Sequence, residues 1–151
     1  MQNVFDAKDA QEYINRINNL TPETQRKWGK MSVDQVLAHL NVAYDLTFTP
    51  EKFPKPSFIA KFLLSRFVKP KITNEIPYKP SLPTSPVFII ADERNFEEEK
   101  AKLIGNIQRV QQLGREAFEG KENINFGKMT AQCWNNMFAK HLNHHLDQFG
   151  V

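Results

Sequence analysis

The sequence predicts an all-α fold: a four-helix bundle with a long proline-rich crossover between helices two and three, carrying a short helix of its own. Three features carry that expectation. Four stretches repeat apolar residues at spacings of three and four, strand-like alternation is missing apart from the brief run Val87-Phe88-Ile89-Ile90, and eight of the nine prolines fall between Pro50 and Pro86. A chain of 151 residues, 40% hydrophobic and 25% charged, suits one globular domain over 1–151 and excludes disordered and collagen-like classes.

The first helix is expected from about Asp6 to Asn19, where Ala10, Tyr13, Ile14 and Ile17 share one face. Thr21-Pro22-Glu23 then suggests a short helical turn leading to Trp28, which Gly29 breaks. Ser32-Val33-Asp34-Gln35 has the form of a capping box and starts the second helix. That helix runs along Val36, Leu37, Leu40, Ala43 and Tyr44 to just before Thr49-Pro50, because the residue before a proline disfavours helix. Inside the crossover, 57–67 reads as a short helix. Asp92 is the expected cap of a third long helix, with Glu97, Glu98 and Glu99 at its positive end and Phe96, Leu103, Ile107 and Val110 facing inward. It should end between Gly114 and Gly120, and Thr130 should cap a last helix reaching Phe149. Val87-Phe88-Ile89-Ile90 is too short and isolated to build a sheet.

Lys and Arg total 20 against 17 Asp and Glu, a formal charge of +3 that is too small to point to nucleic acid. A single cysteine cannot form an internal disulfide, the first residues lack a signal-peptide pattern, and no apolar run approaches a membrane span. A cytoplasmic protein acting on a small molecule, with neither nucleic acid nor membrane as partner, is the expectation.

Composition leaves the four histidines unexplained, three of them within His141-Leu142-Asn143-His144-His145. On a helical wheel with Trp134 at the origin and about 100° per residue, the apolar stripe centres near about 20°, His141 falls near about 340° and His145 near about 20°. Both face inward, His144 lies at the stripe's edge, and Asn143 and Asp147 point to solvent. Two imidazoles at i and i+4 stack on one face and can share an ion. His39, on the flank of the second helix's stripe, supplies a third ligand. Three neutral imidazoles suit a divalent first-row metal and leave a fourth position for water or substrate. The competing reading is of core histidines bonded to carbonyls, but two polar rings in one apolar stripe carry a desolvation cost that something must offset. The last helix also lacks the glutamate that follows the first histidine in zinc-protease helices.

The segment Lys27 to Leu40 around His39, together with Phe126-Gly127-Lys128-Met129-Thr130, Trp134 and the ending from His141 to Val151, resembles the DinB/YfiT-like superfamily of metalloenzymes, within it an uncharacterised bacterial branch. The resemblance spans nearly the whole chain and rests most on a lone second-helix histidine plus an H-x-x-H-H cluster followed by Gln148. Asp147-Gln148 stands where many relatives have Arg-Gln or Gly-Gln. It implies a four-helix bundle with His39, His141 and His145 as metal ligands; Zn, Ni, Mn and Fe are the candidate ions. It also implies a chemistry, since characterised relatives include metal-dependent thiol transferases and an isomerase that uses a low-molecular-weight thiol. The metal would bind the thiol and lower its pKa. A homodimer is a further implication. The alternative of another class is a non-catalytic metal- or ligand-binding stress protein whose ion is structural or absent.

His144, Asn41 and Asp45 are the candidates to support or neighbour the ligands. Between Lys52 and Lys71 lie six cations and no acid, interleaved with Phe53, Phe58, Phe62 and Phe67. The favoured reading packs these phenylalanines over the helices. A second makes the segment a cover of the metal pocket, with Lys61 and Arg66 contacting an anionic substrate, and a third lays it on a membrane surface. Trp28 and Trp134 are expected core anchors, and Cys133 a small apolar filler.

Overall fold

A computed structural model describes residues 1–151 as a mostly helical chain with one small two-stranded sheet. Four helices are long: α1 (Ala7–Asn18), α2 (Val33–Phe48), α5 (Phe96–Leu113) and α6 (Ala131–Phe149). Two short ones, α3 (Phe58–Leu63) and α4 (Lys69–Thr73), lie between α2 and α5. β1 (Glu122–Asn123) pairs antiparallel with β2 (Gly127–Lys128) just before α6.

Local chemistry explains most boundaries. Asp6 caps α1 by accepting from the Lys8 and Asp9 amides at 2.9 and 3.1 Å. At α2 the Gln35 side chain reaches back to the Ser32 N–H at 3.0 Å, while the Ser32 hydroxyl donates to Asp34. The other Asp34 oxygen accepts from the Arg94 amide at 2.8 Å and so ties the start of α2 to the approach of α5. Thr130 caps α6 through the Cys133 amide at 3.2 Å, and Gly150, at φ +78°, ends it. Thr130→Ala should cost about 1 kcal/mol, read as a shift in the urea midpoint with an unchanged slope.

The cap of α5 is Asn95 rather than Asp92. Asn95 accepts from the Glu98 amide at 3.2 Å and donates to the Glu98 carboxylate at 3.1 Å. Asp92 pairs with Arg94 instead. The turn expected after Thr21 is not helical: Thr21 and Thr24 close a tight turn, and the chain continues as bends to Lys30. The hairpin of β1 and β2 was not foreseen, because Asn123 organises it through its side chain, which accepts from the Asn125 and Phe126 amides. Val87 to Ile90 forms no strand, and Pro86–Phe88 is a single tight helical turn.

One core joins the long helices. α2 packs mainly on α5, α5 on α1, and α6 on both α1 and α2. Tyr13, Ile17, Leu37, Leu40, Leu103, Ile107, Trp134 and Phe138 are all essentially inaccessible to solvent. Tyr44 stacks on Phe138 at 4.7 Å between centroids, which fixes α2 against α6 about one turn from the histidines. Arg16 of α1 grips the C-terminal half of α6, donating to Asn143 at 2.7 Å, to Asp147 at 2.7 Å and to the Val151 carbonyl. Asn143 therefore faces α1 and not solvent; Asp147 is exposed, as the wheel has it.

From Phe58 to Thr73 the chain is helical throughout, longer than the stretch expected, with a wide turn over Leu64–Val68 joining α3 to α4. Pro70 explains the widening, since it has no N–H for the carbonyl four residues back and its ring crowds that carbonyl. The Asn136 amide donates to the Thr73 carbonyl at 2.8 Å, and the Lys140 ammonium donates to the Lys71 carbonyl and to Asn74, docking α4 on α6. The phenylalanines of this rod do not pack over the helices: Phe58 is 87% exposed, Phe62 61% and Phe67 58%. No helix is long and apolar enough to cross a membrane.

Candidate metal centre

His39, 141 and 145 converge between α2 and α6, each offering one ring nitrogen within 4.8 Å of the others. His39 and His145 are buried, and His141 is partly so. The sequence places these rings inward by periodicity, and the crossing of α2 over α6 closes the distance: ring centroids lie 4.5 to 5.0 Å apart.

Hydrogen bonds fix which nitrogens carry lone pairs. His39 Nδ1 lies 2.8 Å from the Phe88 carbonyl, which can only accept, so Nδ1 holds the proton and Nε2 is bare. Gln148 Nε2 donates to the Trp28 carbonyl at 2.8 Å, turning its Oε1 towards His145 Nδ1 at 2.7 Å. His145 therefore also carries its proton on Nδ1 and presents Nε2. His141 Nε2 faces His39 Nε2 at 2.8 Å and donates to it. To ligate through Nε2, His141 moves that proton to Nδ1. Two metal–nitrogen bonds of about 2.0–2.1 Å at a tetrahedral angle span about 3.3 Å, so the two rings must part by about 0.5 Å to admit an ion. The donor set otherwise fits: three imidazoles, two of them oriented by a carbonyl behind the ring, which is how proteins set histidine ligands.

Electrostatics keep the rings neutral. Burial lowers the pKa of His39, and it lowers His141 well below the usual value, helped by the charge that His39 and His145 would carry. His145 is pushed down to about 3, first by burial and then by His39. All three are thus unprotonated ligands at neutral pH.

Beside the cluster His145 opens onto a cleft of about 350 Å³ lined by Trp28, Met31, Leu82, Phe88 and Ile90, with Lys30 at its edge. A neighbouring cleft shares Trp28 and His144 and adds Tyr78 and Lys140. His144 sits edge-on to the Tyr78 ring at 5.6 Å and to the His145 ring at 4.9 Å. It belongs to the cleft wall and is not one of the converging nitrogens. Trp28, expected as a core anchor, is half-buried in the wall between the clefts, and its indole N–H is buried with no acceptor. Trp134 is the true core residue, and Cys133 is half-buried at the core's edge.

The other candidates lie elsewhere. Asn41 is buried but turned to α5, donating to Glu99 at 2.7 Å and accepting from Asn106 at 3.0 Å. Asp45 pairs with Lys102 of α5 at 2.8 Å. Neither backs a histidine. Lys61 pairs with Glu122 of β1 and Arg66 lies against Phe67, so the cations lining the two clefts are Lys30 and Lys140 instead.

Gln148 is the residue of the candidate site to which the sequence alone assigned no role. Three residues after His145 on one helix, its position is reachable by that spacing. The Phe88 carbonyl, arriving from 49 residues away, carries no such signal. Gln148→Leu should weaken metal binding about 10–100-fold while leaving the ligands in place, measured by competition with a chromophoric chelator. Gly29 depends on the same residue: at φ +83°, a Cβ there would run into Gln148 Nε2.

The family model described as "Protein of unknown function (DUF1569)" matches residues 2–150, and the chain belongs to that family. No curated protein and no solved structure matches it.

Proposed function

We propose that the chain is a divalent-metal-dependent enzyme with a three-histidine centre, built on a four-helix bundle of the DinB/YfiT-like kind formed by α1, α2, α5 and α6. The observation that carries this reading is the convergence of His39, His141 and His145 beside an open cleft, with three protein ligands where a closed structural site has four. Zn, Ni, Mn and Fe all suit the donors.

The substrate is a small molecule, and the reaction a thiol-dependent transfer or isomerisation. When bound, the metal acts as a Lewis acid that lowers the pKa of a coordinated thiol. The chain's own residues do the rest. The Phe88 carbonyl and Gln148 hold the rings at fixed tautomers. Phe88, Met31 and Trp28 keep the cleft apolar. Lys30 supplies positive charge at the edge. His144, kept neutral because burial lowers its pKa, stands in the wall as the proton acceptor nearest the cluster.

Reconstitution with each metal should load one ion per chain with micromolar or tighter affinity, and glutathione added to the cobalt-substituted protein should produce a thiolate-to-metal absorption band. If no metal binds, the enzyme reading fails; if metal binds without the band, the thiol is wrong.

A further inference from the structure

We infer that the rod from Phe58 to Thr73 docks the protein reversibly on an anionic lipid surface. Phe58, Ile59, Phe62, Leu63 and Phe67 are between 47% and 87% exposed and follow one another along this rod, an apolar patch of the kind a soluble chain seldom leaves uncovered. Phe58 and Phe62, four residues apart, share a face. Phe67 comes five residues later, and five residues of α-helix advance about 140°, off that face. The wide turn alters this: the Lys69 amide bonds the Leu64 carbonyl five residues back, which reduces the rotation per residue and swings Phe67 towards the side of Phe62. Backbone geometry and exposed aromatics thus act together.

Charge selects the occupant. Lys52, Lys55, Arg66 and Lys71 are exposed within or just before this rod, Arg66 lying against Phe67, and no acid occurs from Lys52 to Asn74. Setting aside the six cations of this stretch leaves 14 Lys and Arg against 17 acids, so the rest of the chain is net negative. A strongly basic apolar rod on a net acidic body is polarised towards an anionic plane. A two-fold contact with a second copy would instead set the same cations face to face. A basic helix with exposed phenylalanines lies in the headgroup region with its apolar side embedded, and the rod of about 24 Å fits that position without crossing.

The test is cosedimentation of the full chain with vesicles of phosphatidylcholine, with and without phosphatidylglycerol. Wild type should pellet with the anionic vesicles only, and less as salt rises. Phe58→Ser/Phe62→Ser, at exposed positions away from the histidines, should bind at least tenfold more weakly with unchanged circular dichroism and melting temperature. Lys55→Glu/Arg66→Glu should lose about fivefold or more per site. Failure of wild type to pellet, or equal binding by the phenylalanine variant, overturns the inference. So does a dimer in sedimentation equilibrium that the phenylalanine variant dissociates without any vesicle binding, which would give the patch to a second copy.

Discussion

A saturating divalent metal should raise the melting temperature of the wild-type chain by about 5–10 °C, and His141→Ala should remove that rise. An ion at 100 times its dissociation constant stabilises the folded state by about 2.7 kcal/mol, and each kcal/mol moves the midpoint of a domain this size by about 2–4 °C. The comparison is internal to each variant, chelator-treated against metal-loaded, so any folding cost of the alanine cancels. His39→Ala and His145→Ala should behave alike, because all three nitrogens converge on one point. His144→Ala should keep the rise, since its ring stands in the cleft wall. Calorimetry with and without metal distinguishes these outcomes, and a rise that survives His141→Ala would place the ion elsewhere.

The second large effect is on acid stability of the metal-free protein. His145 stays neutral in the folded chain down to about pH 3, whereas in the unfolded chain it takes up a proton near its ordinary pKa of about 6.5. Between those values the unfolded state binds more protons, so acid favours unfolding. Stability is fully present above about pH 6.5 and declines as the pH falls towards 3. At about 1.4 kcal/mol per pH unit, His145 alone accounts for about 5 kcal/mol at the bottom of that window, with His39 and His141 shifted the same way. That is comparable with the whole stability of a small domain. Urea unfolding at a series of pH values should show the midpoint falling steadily below pH 6.5, and His145→Gln should flatten the slope. A midpoint constant from pH 7 to 4 would contradict the burial of the cluster.

Much of this centre was legible in advance because its geometry is periodic. The i, i+4 spacing of His141 and His145 on an apolar stripe, and the flank position of His39, required only the pitch of a helix. The same wheel misplaced Asn143, because it assumes one buried face and α6 is held on several sides: by α1 at Arg16, by α2 at Tyr44 and by α4 at Lys140. Asn41 and Asp45 illustrate the converse error. Closeness to His39 along the sequence says nothing about direction around α2, and both turn to α5. Capping was readable at Ser32 and Thr130, where the cap stands beside the first apolar residue, and misread at α5, where Asp92 was expected and Asn95, which adjoins Phe96, caps instead. The crossover was least legible. Its phenylalanines look like core residues in composition, and nothing local reveals that α4 docks through backbone carbonyls and leaves them outside.

The Phe88 carbonyl joins two events that are otherwise separate. It belongs to the proline-rich crossover that walls the cleft, and it holds the proton of His39 Nδ1. That bond orients the ring and makes its Nε2 the better donor. Coupling of this kind is reciprocal. On the proposed metal centre, a molecule that fills the cleft and steadies the crossover would tighten metal binding by the same factor by which metal tightens the hold on that molecule. Metal loss on dialysis of the metal-loaded protein should then slow in the presence of a molecule that fills the cleft.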